Sequence, residues 1–171
     1  TYIENLIIDR SVTIRGAGPK LTTVDGSGHY DTVFLIGSPP LPSSCVTNRF
    51  VTLEGMTITG GQGPPAGYRN GGGISVSPGV DLVVNNCVVS GNSTYGNGGG
   101  ISVAHGRLTV IDSVISRNTA YAISASGAYG GGGGLRIAGC PSDLTVMNSV
   151  IEQNTSDYRG GGILSVAGAP D

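Results

Sequence analysis

Apolar residues in this chain come in short clusters that alternate with polar ones, and the clusters recur. Asn70 to Val76 reads NGGGISV, Asn97 to Val103 reads the same, and Gly132 to Ile137 (GGGLRI) and Gly160 to Val166 (GGGILSV) are close copies. Their third glycines, Gly73, Gly100, Gly134 and Gly162, stand 27, 34 and 28 residues apart, the longest step carrying the insertion Ala120 to Gly131. A second block follows each of the first three triplets: LVVNNCVVSGN from Leu82, LTVIDSVISRN from Leu108 and LTVMNSVIEQN from Leu144, with a degenerate copy, VTLEGMTITGG, from Val51. Period-two alternation within these blocks marks strands with one buried face. The alignment predicts interior columns Leu82/Leu108/Leu144, Val84/Val110/Val146, Cys87/Ser113/Ser149 and Val89/Ile115/Ile151.

A unit of roughly 27 residues with short strands and no helical period cannot bury its own apolar face. Coils stacked about 4.8 Å apart make a continuous core. The pattern therefore predicts an all-β fold, a right-handed, single-stranded parallel β-helix of about five to six coils with three short strands per coil. Like stacks on like in such a solenoid, so Asn92, Asn118 and Asn154 are expected to form an inward amide ladder that satisfies turn backbone. The glycine triplets are expected to supply positive φ and close approach between coils at a corner.

Residues 1–171 read as one domain, with irregular N-terminal coils over 1–60 and regular GGGI-type coils over 61–171, the last incomplete. LIIDRSVTIRG from Leu6, TTVDG from Thr22 and TVFLIG from Thr32 are strand text in the irregular part. Pro39 to Pro42 and Pro64-Pro65 read as loops leaving the prism, because strand text resumes directly after them. Strand text from the third residue and a final coil without its Leu-x-Val block suggest either two open ends, ready for head-to-tail stacking with copies of the same chain, or a fragment of a longer solenoid whose next coils and cap lie elsewhere.

Composition narrows the function. With 31 glycines among 171 residues and no Trp, aromatic packing does not hold this chain together. Its basic residues are scattered singly and the net charge is −2, which argues against nucleic acid as a partner. No segment approaches the roughly 20 apolar residues of a membrane span. An opening at Thr1 without Met reads as a processed or excised product, and the expected location is extracellular or at a cell surface. Cys45 and Cys140 both lie in Pro-flanked loop text; an oxidising compartment joins them if those loops stack, and otherwise they are two unlinked thiols. Cys87 reads as a small core residue.

The blocks VTIRGAG, TVDGSG, GGGISV, LTVIDSVISRN and LTVMNSVIEQN resemble the pectin-lyase-like β-helix superfamily. They are most similar to its bacterial surface proteins and polymorphic outer-membrane-type repeats, and the resemblance covers nearly the whole chain. It implies the fold; for function it implies a range from polysaccharide lyases and hydrolases to adhesins and structural modules. Enzymes of that family work with paired carboxylates, or with acids beside an Arg, on one face. Here the position before the small inward residue reads Gly55, Asn86, Asp112, Asn148, a lone carboxylate in an amide column. If the chain is an enzyme, the candidates are Asp112, Arg107, Arg136 and Asp143; otherwise no residue is catalytic.

Asp25 to Asp31 (DGSGHYD) looks like ordinary turn chemistry rather than a cation loop, so no metal or cofactor is assigned. His29 and His105 stand alone on loops. The sequons at Asn92 and Asn154 fall on the inward column, which favours capping over glycosylation. Thr52, Thr109 and Thr145 in one outward column and Thr57 in a second make a possible binding face for a glycan or an ice surface. The leading expectation is a non-enzymatic structural or adhesive solenoid whose partner is itself. Alternatives are a polysaccharide-active enzyme and a glycan- or ice-surface binding module.

Overall fold

The computed structural model describes residues 1–37, 49–63, 70–122, 131–140 and 142–167. Among these the chain is all-β: 21 strands in four sheets, every pairing parallel, an arrangement compatible with a parallel β-solenoid. Sheet I holds Leu6–Ile8, Phe34–Ile36, Ile74–Val76, Ile101–Ala104, Leu135–Gly139 and Ile163–Ala167. Sheet II holds Val12–Arg15, Arg49–Glu54, Val80–Asn85, Leu108–Ile111 and Leu144–Met147. Sheet III holds Tyr2–Ile3, Thr23–Asp25, Thr57–Thr59, Val88–Ser90, Val114–Ser116 and Val150–Glu152. The chain runs I, II, III and then, from Gln62 onward, through a fourth sheet of two-residue strands: Gln62–Gly63, Ser93–Thr94, Thr119–Ala120 and Thr155–Ser156.

That fourth sheet corrects the expectation of three strands per coil. Ser93-Thr94 and its counterparts are too short and too polar to show a period; just before them the Asn side chains tie adjacent coils together.

The predicted columns appear as paired rungs. Leu82 pairs with Leu108 and Leu108 with Leu144, while Val51 and Val12 continue the column downward. Val84/Val110/Val146 and Val89/Ile115/Ile151 are in register in the same way. Leu82, Val84, Val89, Leu108, Val110 and Ile115 are fully buried. At roughly 2 kcal/mol for each buried aliphatic side chain, these columns are the main stabilising term. On the last rung the same columns open: Leu144 and Ile151 are half-buried, Val146 is 38% exposed, and Ile163, in register with buried Leu135 of sheet I, is 42% exposed. At the opposite end a cavity of about 410 Å³ lies among Leu6, Ile14, Val24, Phe34 and Met56.

Each glycine of a triplet is there for its own reason. The first, at Gly71, Gly98, Gly132 and Gly160, has φ between +57° and +86°, which an L side chain rarely adopts. A Cβ on the second, at Gly72, Gly99 or Gly133, would run into carbonyl oxygens of neighbouring backbone. A Cβ on the third, at Gly73, Gly100 or Gly134, would stand 2.9 Å from the side-chain nitrogen of Asn92, Asn118 or Asn154. Triplet and Asn column therefore require one another.

Candidate functional site

A buried, continuous polar constellation among the described residues is the Asn column. Each Asn lies two residues after a sheet III strand, and Asn92 and Asn118 are 1% and 0% exposed. Asn118 Oδ1 accepts from the backbone N–H and the Nδ2 of Asn92, both at 3.0 Å, and Asn154 Oδ1 does the same for Asn118. The amide nitrogens also donate to the carbonyls of Ile58, Val89 and Ile115. Asn92 and Asn118 have partners on both sides and Asn154 on the coil before it, so the column binds coil to coil. Its Asn92 and Asn154 side chains are committed inward, Asn154 half-buried, which leaves the two sequons without a free acceptor amide.

A second column works by the same logic. Ser113 Oγ accepts from Cys87 N–H and Ser149 Oγ from Ser113 N–H, each at 3.0 Å. Cys87 is a buried free thiol, and desolvation by burial pushes its pKa up, so the nucleophilic thiolate is disfavoured. Cys140 is disulfide-bonded; Cys45, the partner weighed from sequence, lies outside the described residues.

Of the four candidate enzyme residues only Arg107 and Asp143 meet. Arg107 is brought to Asp143 at 3.0 Å and to Asp81 at 3.4 Å, on neighbouring rungs of sheet II. The hydrogen bond it donates to Asp143, then the charge of Asp81, raise the pKa of this exposed guanidinium. Both acids are thus spent on one cation, an exposed ion-pair ladder worth little net stability. Arg136 is on sheet I, half-buried, its pKa lowered by burial. Asp112 is exposed at φ +48°, in a column whose other members, Gly55, Asn86 and Asn148, also have positive φ. Its residue type is explained by that left-handed turn between sheets II and III, which Gly, Asn and Asp tolerate best.

The Thr positions also divide. Thr52, Thr109 and Thr145 stand in register on sheet II, with Thr13 extending the column below and Val83 interrupting it. Thr57 belongs to sheet III, across the turn, and donates its hydroxyl to Pro19 O. Asp25 and Asp31 each accept a backbone N–H, from Ser27 and Thr32, as turn residues do. His29 is exposed; His105 Nδ1 accepts the N–H of Cys140 at 3.2 Å.

Protein-family models, curated proteins and solved structures were compared with the chain, and none matches it. The site is therefore judged on its own chemistry.

Three features escaped the sequence reading. Asn70 Oδ1 accepts from both the N–H and the Nδ2 of Asn97, a second amide ladder beside the glycine corner. The repeated NGGGISV was the available signal. Tyr95 and Tyr121 stack with ring centroids 5.2 Å apart, and Arg159 lies over the Tyr158 ring at 4.8 Å. These aromatics fall in text of unequal length, where alignment loses register.

Proposed function

We propose that this chain is an extracellular or cell-surface structural and adhesive solenoid that stacks head-to-tail with copies of itself into a filament. In this reading it is a right-handed β-helix of the pectin-lyase-like kind, with about five to six coils. The observation that carries it is the last rung: apolar columns buried in the middle of the stack emerge there, with Val146 38% and Ile163 42% exposed, on strands with one edge unpaired among the described residues. Such an edge is a template for another strand, and a contact between unlike ends propagates instead of closing. The bonded Cys140 suits an oxidising compartment outside the cell.

Electron microscopy and fibre diffraction of the purified chain test it. Concentration-dependent rods with an axial repeat near 4.8 Å are expected. A monomer by light scattering at every accessible concentration overturns the reading.

The Thr column of sheet II favours a second reading, attachment of the side wall to a regular glycan surface. Replacing Thr52 and Thr109 by Glu leaves the fold intact and abolishes retention on insoluble polysaccharide if that holds; unchanged retention removes it.

A further inference from the structure

We infer that Tyr95 and Tyr121 form a site of oxidative cross-linking, at which a one-electron oxidant joins the two phenol rings into an intrachain dityrosine.

The backbone sets the pair. In the fourth sheet Thr94 is in register with Ala120, and the Tyr121 N–H donates to Thr94 O at 2.8 Å, so the residue after each strand is a tyrosine one rung from the other. Rungs lie about 4.8 Å apart. The ring centroids stand 5.2 Å apart with their planes tilted by 34°, within the range of a packed aromatic pair. Tyr95 and Tyr121 are still 46% and 39% exposed, so an oxidant in solution reaches both. The column stops there: Asp157 takes the next position, its carboxylate accepting the Ala122 N–H, and Tyr158, one residue on, lies under Arg159. Tyr2 and Tyr30 are exposed as well, but neither has a second phenol beside it among the described residues.

A tyrosine that gives up one electron and its phenolic proton becomes a phenoxyl radical, with the unpaired spin shared by the oxygen and the ortho and para ring carbons. Two such radicals held one rung apart join through one ortho carbon of each ring. The hydrogens on those carbons then pass through water to the two oxygens, so both phenols are restored and one carbon–carbon bond replaces two carbon–hydrogen bonds. With hydrogen peroxide as oxidant, delivered by a haem peroxidase, the two electrons and two protons removed turn one peroxide into two waters. Groups fixed in contact react as if at a concentration far above that of any protein solution. Coupling within the chain therefore outruns coupling between chains. The bond joins residues 26 positions apart and ties successive coils through a sheet whose strands are two residues long.

Treating the 171-residue chain with a haem peroxidase and limiting hydrogen peroxide tests the site, read by denaturing gel, fluorescence and peptide mass mapping. A chain-length product lighter by two hydrogen atoms is expected, with dityrosine fluorescence, a yield unchanged on about tenfold dilution, and one linked peptide pair carrying Tyr95 and Tyr121. Tyr121→Phe keeps a ring in place but lacks the phenol; it is expected to lose that product while its circular dichroism stays that of wild type. Tyr30→Phe is expected to keep the product. Linkage at other tyrosines, covalent oligomers in place of the chain-length product, no coupling, or a product that survives Tyr121→Phe overturns the site. Mapping of the wild-type product identifies the bonded residues by itself, so the result stands even for a variant that does not fold.

Discussion

Replacing Asn118 by Ala removes the centre of the amide ladder, and the structure sets the size of the loss. The side chain is fully buried and joins four hydrogen bonds of 3.0 Å: two accepted from Asn92, one donated to Val89 O and one to Asn154 Oδ1. Asn92 Nδ2 keeps Ile58 O and Ser90 O, and Asn154 Oδ1 keeps the Asn118 N–H. The Asn92 N–H keeps nothing. One stranded buried donor costs about 1–3 kcal/mol, and with the other lost bonds the total is about 2–4 kcal/mol, a large share of an ordinary domain's stability. Urea unfolding followed by far-UV circular dichroism measures it. Asn154→Ala, on a half-buried rung where water replaces the amide, is expected to cost about 1 kcal/mol. Asn118→Asp adds a pH signature. Its carboxylate would face Val89 O and Asn154 Oδ1, so burial and those acceptors raise its folded-state pKa above the unfolded value of about 3.9. Below the unfolded value both states are protonated and the electrostatic penalty is absent; it grows as pH rises and is complete above the folded value. An Asn118→Ala loss within about 0.5 kcal/mol of zero, or equal to that of Asn154→Ala, would refute the ladder as a stabilising element.

Gly100→Ala would put a Cβ 2.6 Å from Gly134 O and 2.9 Å from Asn118 Nδ2, whereas Gly162→Ala meets only Ile151 at 3.6 Å, so thermal melts should show a large loss for the first and almost none for the second. Cys87 should resist thiol reagents in the native protein and react once the chain is denatured; rapid native labelling would contradict the buried placement. The Asp25 carboxyl is held below its ordinary value by the hydroxyl and then the N–H of Ser27. Its stabilisation is present above the unfolded carboxylate range near pH 3.9 and lost as pH falls through the lower folded value, so the melting difference between wild type and Asp25→Asn should shrink toward pH 2; a pH-independent difference counts against it.

The sequence by itself determined which residues face inward and which rungs align. Side chains alternate with period two, and each regular coil repeats the same text, so Leu82, Leu108 and Leu144 had one consistent stacking. Glycine at the third triplet position and Asn in the column were legible too, because both recur at fixed offsets. The tertiary structure alone decided what depends on contacts between coils. Asp112, a lone acid in the text, takes its meaning from a left-handed turn shared with Gly55, Asn86 and Asn148. Arg107 meets Asp81 and Asp143 only because the rungs bring residues 26 and 36 positions away alongside it. The short fourth sheet, the split of the Thr columns between two sheets and the unpaired Asn5 Oδ1 belong to the same class. A two-residue strand or a single orphan acceptor leaves no period in the sequence; it is defined by a neighbour one coil away, and the loop lengths that bring that neighbour alongside vary from coil to coil.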